Sequence, residues 1–141
     1  MTATAHAVIG TVIAAKIGNP ALAIPIALAS HLAADAIPHW DTATNGKKKD
    51  SLRFFIHTAI DVFAGFALSL LILKFLFPQT NPSYAFIIII ASQFFDWATA
   101  PYLFFNIKIP FYWMYKFQKI FDNSLDKPWG IINQVAILIL L

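Results

Sequence analysis

The chain has 141 residues, of which 59% are hydrophobic, 16% are aromatic and only 12% are charged, and its formal net charge is +3. A soluble domain of this length could not bury so much apolar surface, so the composition excludes an ordinary water-soluble protein and indicates one that is embedded in lipid. The absence of cysteine excludes disulfide bonds, thiolate metal sites and a cysteine nucleophile.

Four apolar segments predict membrane-spanning helices. Turn signals separate them: Gly18-Asn19-Pro20 follows the first segment, and residues 78–82, with a proline at each end, follow the third. Pro38 ends the second segment, because a proline disfavours helix at the residue before it. The segments cover residues 3–17, 21–37, 54–77 and 84–105, and the third has about the length of one bilayer crossing.

The rest of the chain predicts a loop and two shorter elements. Residues 41–50 predict a polar loop, residues 110–122 combine aromatic side chains with lysines as an interfacial helix does, and residues 129–141 form a short apolar segment. Eight of the ten basic residues lie in the stretches 47–53 and 108–127, which indicates that both stretches and the N-terminus face the cytoplasm. The predicted fold is a single all-α domain, residues 1–141, in which four to five transmembrane helices form a bundle.

Ionisable side chains inside apolar segments are costly, and by default they indicate a functional site. All four histidines of this chain lie within or beside the predicted helices, together with four aspartates. In the predicted topology these groups converge in the inner half of the membrane instead of scattering over both halves. The eight groups are His6, His31, Asp35, His39, Asp41, His57, Asp61 and Asp96.

Two His–Asp pairs among these groups, His31/Asp35 and His57/Asp61, are four residues apart, so each pair projects from one face of its helix. Imidazole with carboxylate, and without thiolate, is a ligand set for zinc, manganese or non-haem iron. Eight groups exceed one tetrahedral shell. They therefore predict one to three divalent ions, zinc first, with a bridging carboxylate or an outer shell of ligands. The alternative is a buried hydrogen-bonded network without a metal.

The pattern resembles the small inner-membrane proteins called membrane-bound metal-dependent hydrolases, the YdjM-like family. An early helical histidine precedes the motif His31-x-x-x-Asp35-x-x-Pro38-His39-x-Asp41, and an H-x-x-x-D pair opens the next segment. The resemblance covers about residues 4–100. It implies that the metal ligands are His6, His31, Asp35, His39, Asp41 and His57, with Asp61 and Asp96 as further candidates.

The expected function is metal-dependent hydrolysis of a lipid-borne ester, with a phosphoester first, at the cytoplasmic side of the inner membrane. The metal activates water, and Asp41 or Asp96 is the expected catalytic base. The expected partners are membrane lipids and a lipid-linked substrate, with no nucleic acid, and a homo-oligomer is left open. Two alternatives use the same ligands: a metal-ion carrier or sensor, and a haem-binding electron carrier, which the neighbouring aspartates disfavour.

Overall fold

The computed structural model describes residues 1–44 and 51–141, and its secondary structure there is helical apart from one isolated bridge between His39 and Ser124. The predicted all-α class is confirmed for these residues. The predicted polar loop of residues 41–50 lies partly outside them. The helices are α1 (Ala3–Lys16), α2 (Pro20–Ala36), α3 (Ser51–Leu76), α4 (Pro82–Ser92), α5 (Phe94–Phe105), α6 (Phe111–Phe121) and α7 (Trp129–Ile139).

Three helices begin at the residues that the sequence provides as caps. The Thr2 side chain accepts a hydrogen bond from the Ala5 N–H, and Asn19 and Asn81 cap α2 and α4 in the same way. In α2 and α4 a proline follows the cap, where its missing N–H would have had no partner within the helix. The turn signals in the sequence therefore became helix starts.

Helix α1 is the centre of the bundle and packs against α2, α3, α4 and α7. It is apolar on all sides, as a helix surrounded by others should be. Small residues allow the close approach: a Cβ added to Gly65 of α3 would lie 3.0 Å from the Thr4 Cα and 3.1 Å from the Ala7 Cβ. The position of α1 brings its one histidine, His6, into the interior, where it is 1% exposed.

The contact between α1 and α4 gives a first prediction. We expect Gly10→Ala to destabilise the protein by about 1–3 kcal/mol, because the new Cβ would lie 2.9 Å from the Ser92 Cβ and 3.0 Å from the Ile89 Cα. The measurement is thermal unfolding in detergent. Gly18→Ala is the control, since no described atom lies within 4 Å of its added Cβ. Equal unfolding temperatures for the two variants would contradict this packing.

Among the described residues, one helix is long and apolar enough to cross a membrane alone, by length and composition. It is α3, over Leu52–Leu76, with a mean hydropathy of 2.1. Helices α4 and α5 meet the requirement only as a pair, and they are bent by 55° at the break between them. In the described residues α1, α2 and α7 are apolar but shorter. The predicted bundle of four to five spans therefore stays a prediction.

The predicted continuous fourth span, residues 84–105, is divided in the structure. Helix α4 ends at Ser92, and α5 begins at Phe94. Gln93, between them, has φ −105° and ψ 7°, outside the helical region. The residues at this point, Ser92 and Gln93, are polar, but neither is a glycine or proline that would indicate a break, which is why the sequence predicted one helix.

Most apolar side chains of α3 face outward. Phe63 is 75% exposed and Phe75 is 70% exposed, and Leu70 and Ile60 are similar. Soluble monomeric proteins rarely expose a continuous apolar surface of this kind. A long helix that is apolar and yet exposed is different from the core helix of a soluble protein, which is buried.

Candidate metal centre

Asp35 lies at the centre of the buried polar cluster. One of its oxygens, Oδ1, lies 3.2 Å from His6 Nε2 and 3.8 Å from His39 Nε2, and it also accepts a hydrogen bond from the Met1 amino group. The other oxygen, Oδ2, lies 3.3 Å from His31 Nε2. Helix α2 presents His31 and Asp35 on one buried face because they are four residues apart. One carboxylate therefore contacts three imidazoles.

The first group of candidate ligands consists of His6, His31 and Asp96. One ligand atom from each lies within 4.8 Å of the others. His31 Nε2 is 3.6 Å from Asp96 Oδ1, and the rings of His6 and His31 stack with their centroids 3.8 Å apart. Two ligands on a tetrahedral zinc ion with bonds of about 2.1 Å are about 3.4 Å apart. The distance between His31 Nε2 and Asp96 Oδ1 is thus close to the spacing that a metal would impose.

The break between α4 and α5 orients His31. The Ser92 carbonyl lies at the end of α4 and accepts a hydrogen bond from His31 Nδ1 at 2.7 Å. In an unbroken helix this carbonyl would bond to the backbone N–H four residues later. This hydrogen bond places the proton on Nδ1 and holds the ring so that Nε2 faces the cluster. A histidine that binds a metal is commonly held in this way by an acceptor on its other nitrogen.

The second group consists of His39, Asp41 and Asp122, again with one ligand atom each within 4.8 Å of the others. His39 is fully buried, and its Nδ1 donates to the Ile37 carbonyl at 2.8 Å. Its Nε2 lies 3.5 Å from Asp122 Oδ1 and 3.7 Å from Asp41 Oδ2, and it has no hydrogen-bond partner in the described residues. This histidine is therefore oriented like His31, with Nε2 facing the two carboxylates.

Backbone pairing brings Asp122 to this group. The His39 N–H donates to the Asn123 carbonyl at 3.1 Å, and the Leu125 N–H donates to the His39 carbonyl at 2.6 Å. The Asn123 N–H also donates to the Asp35 carbonyl at 2.9 Å. The segment after α6 is thus fixed beside the segment after α2, and the side chain of Asp122 reaches His39.

In the second group, the imidazole and the carboxylates shift each other's pKa values so that the charged forms are favoured. Burial disfavours the charged form of His39, but the carboxylates of Asp122 and Asp41 outweigh it and raise the pKa of His39 to about 9. Burial likewise acts to raise the pKa of Asp41, but His39 and the hydrogen bonds from Thr44 lower it to about 2. The pKa of Asp122 is also lowered, against its burial, by His39 and Lys119. Two carboxylates beside a buried imidazole favour a cation at this place.

Gln118 of α6 lies among the ligand atoms of the first group. Its Nε2 donates to Asp96 Oδ1 at 2.9 Å, and it lies 3.2 Å from His31 Nε2 and 3.4 Å from Asp35 Oδ2. An amide N–H carries partial positive charge, so it occupies the position where these ligand atoms would hold a metal ion. The arrangement can accept a cation there if the Gln118 side chain moves aside.

Comparisons of the chain with protein-family models, with curated proteins and with solved structures find no match. The resemblance to the membrane-bound metal-dependent hydrolases therefore stays a prediction. The assignment of this cluster as a metal centre depends on its geometry.

The structure brings six of the eight predicted ligands together. His6, His31 and Asp96 form the first group, and His39 and Asp41 belong to the second. Asp35 contacts histidines of both groups. The structure does not bring the other two there. His57 is exposed on α3 and belongs to neither group. Asp61 accepts hydrogen bonds from the Ala3 N–H at 2.7 Å and the Thr4 N–H at 3.1 Å, so it caps the N-terminus of α1.

Sequence reasoning missed two residues of the centre, Gln118 and Asp122. They are four residues apart at the end of the predicted interfacial helix, which is the same spacing that singled out His31 and Asp35. Two polar residues on one face of an otherwise aromatic and basic helix are the signal that could have indicated them.

Proposed function

We propose that this chain is an integral membrane protein that holds two divalent metal ions and hydrolyses a lipid-borne ester, a phosphoester first. The exposed apolar surface of α3 supports the membrane part of the proposal, because water would otherwise cover it. The basic stretches near residues 53 and 108–127 support an orientation in the inner membrane with the N-terminus and the metal centre on the cytoplasmic side.

The observation that carries the proposal is the position of Asp35 between the two ligand groups. Its Oδ1 faces His6 and His39, and its Oδ2 faces His31. A carboxylate shared between two sets of ligands is the usual bridge in two-metal hydrolytic sites, where the ions are about 3.5–4 Å apart. Imidazole and carboxylate ligands without thiolate suit zinc, with manganese and iron as alternatives.

A divalent ion supplies two kinds of chemistry: it acidifies bound water and neutralises charge on a phosphoryl group. The chain supplies the rest. Asp41 and Asp96 belong to different ligand groups, and both border the same cavity, so each can accept a proton from water there. The water oxygen bonds to phosphorus, the bond from phosphorus to the leaving oxygen breaks, and the proton passes through the carboxylate to that oxygen. No serine or cysteine nucleophile is required.

The test is elemental analysis of protein purified in detergent. We expect the wild type to contain about two transition-metal ions per chain and His31→Ala to lose at least half of that content, because its Nε2 lies beside both Asp35 and Asp96. His57→Ala is the matched control: the same change on an exposed histidine outside both ligand groups should leave the metal content unchanged.

Two results would contradict the proposal. A wild type without stoichiometric metal would remove the metal centre, and metal loss in His57→Ala but not in His31→Ala would move it elsewhere. If metal is present, release of phosphate or headgroup from a panel of phospholipids tests the reaction. Bound metal without release from any phospholipid would favour a metal-ion carrier over a hydrolase.

A further inference from the structure

A cavity of about 120 Å³ lies beside the metal centre, between α3 and α5. Asp41 and Asp96, one residue from each ligand group, both border it. The remaining lining is mostly apolar and includes Phe54, Val62, Trp97, Leu103 and Phe104. Ligand sites in proteins usually have this composition, with an apolar wall and a few polar groups that fix the orientation of the ligand.

Gln93 borders this cavity and carries a buried amide donor. The residue lies at the break between α4 and α5 and is 1% exposed, yet its Nε2 has no hydrogen-bond partner in the described part of the chain. A buried donor without a partner costs about 1–3 kcal/mol. Of the described buried side chains with such an atom, Gln93 is the one that borders the cavity. An oxygen acceptor inside the cavity would therefore stabilise it.

We propose that this cavity binds the ester end of a phospholipid, and that Gln93 Nε2 donates a hydrogen bond to a phosphoryl oxygen there. The proposal rests on the hydrolase function proposed above and adds the substrate site and the residue that orients the substrate. The phosphoryl group would lie beside Asp41 and Asp96, which belong to the two groups that would hold the ions. The first carbons of the lipid lie against the apolar wall.

The shape and chemistry of the cavity favour a lipid over a water-soluble phosphoester. A small polar ester would fill the polar end and leave the aromatic wall of Trp97 and Phe104 against water. A cavity of about 120 Å³ is too small for a whole phospholipid, so the rest of the acyl chain lies outside it. Leu103 is 39% exposed and Phe55 is 48% exposed, which makes the surroundings of the cavity apolar as well.

Gln93 is uncharged, and this suits its role. Three carboxylates, those of Asp41, Asp61 and Asp96, border the cavity, and the proposed ions would supply positive charge beside them, whereas an amide N–H adds a directed hydrogen bond. That bond strengthens as negative charge develops on the phosphoryl oxygen during attack by water. Removal of one such donor from an enzyme lowers kcat by about 100-fold to 1,000-fold.

The first arm of the test measures hydrolysis. Gln93→Met has nearly the same shape and no N–H donor, so we expect kcat/KM for dioleoylphosphatidylglycerol to fall by at least about 100-fold while the metal content stays at the wild-type level. Ala100→Phe fills the cavity from α5 and should abolish turnover without changing the metal content. Ala64→Phe is the matched control, because Ala64 is exposed on α3 and outside the cavity lining.

The second arm measures binding without hydrolysis. Native mass spectrometry of the detergent-solubilised protein with dioleoylphosphatidylglycerol counts the phospholipid that each variant retains at one collision energy. Wild type and Ala64→Phe should retain it, and Ala100→Phe should lose it. If wild type binds the lipid in this pattern but does not hydrolyse it, the site is supported and the hydrolase function fails. Unchanged turnover or unchanged lipid retention in Ala100→Phe would overturn the site, and unchanged turnover in Gln93→Met would overturn the role of Gln93.

Discussion

Asp35→Asn is expected to remove both metal ions from the protein. The substitution keeps the size of the side chain but takes away the negative charge that His6, His31 and His39 share. An amide cannot bridge two cations as a carboxylate does, so we expect the affinity for metal to fall by more than about 100-fold. Elemental analysis after dialysis against a weak chelator gives the metal content, and the thermal unfolding temperature shows whether the chain is still folded.

Asp61→Asn is the matched control for this prediction. Asp61 was a candidate ligand by its sequence pattern, but in the structure its carboxylate caps α1 through the N–H groups of Ala3 and Thr4. The control should therefore keep its metal and lose some stability, about 1 kcal/mol. Equal metal loss in both variants would contradict the assignment of Asp35 as the shared ligand.

Gly130→Ala is expected to remove the second ion and keep the first. Gly130 lies at the start of α7, and a Cβ there would lie 2.7 Å from the Trp40 nitrogen and 2.9 Å from the His39 carbonyl carbon. Both are backbone atoms, so the clash must shift the segment that carries His39. We expect a loss of about 3 kcal/mol in stability and a metal content of about one ion per chain.

The first ligand group provides the internal reference for this experiment. His6, His31 and Asp96 are held by α1, α2 and α5, and none of these residues supplies one of the three atoms nearest to a Cβ added at Gly130. His39→Ala should give the same metal content as Gly130→Ala without the steric clash and thus with a smaller loss of stability. Loss of both ions in Gly130→Ala, with one ion kept in His39→Ala, would show that α7 also supports the first group.

The helices could be predicted from the sequence because apolar length and turn residues are local signals. The predicted segment 3–17 became Ala3–Lys16, and 110–122 became Phe111–Phe121. The break at Gln93 could not be predicted from hydropathy, because polar residues there keep the pattern of a helix. At the break the Ser92 carbonyl accepts a hydrogen bond from His31, a residue far away in the sequence.

The candidate metal centre was predicted in part for the same reason. His31, Asp35, His39 and Asp41 lie in one short stretch, and their spacing was sufficient to bring them together. His57 and Asp61 share the same spacing, but the sequence does not show which face of an apolar helix is turned inward. Asp122 was not predicted because it reaches His39 only through pairing between two segments that are distant along the chain.

That pairing also sets the order in which the centre can be completed during synthesis. The first ligand group includes no residue beyond Asp96, whereas the second includes Asp122. The second group can therefore form only after the segment that follows α6 has been synthesised and has paired with His39. Contacts between distant parts of a chain form late because the loop between them must first be closed. Until then, a buried imidazole and a carboxylate are left without the third ligand. If the chain holds two ions as proposed, the nascent protein can therefore capture one of them before it is competent for the second.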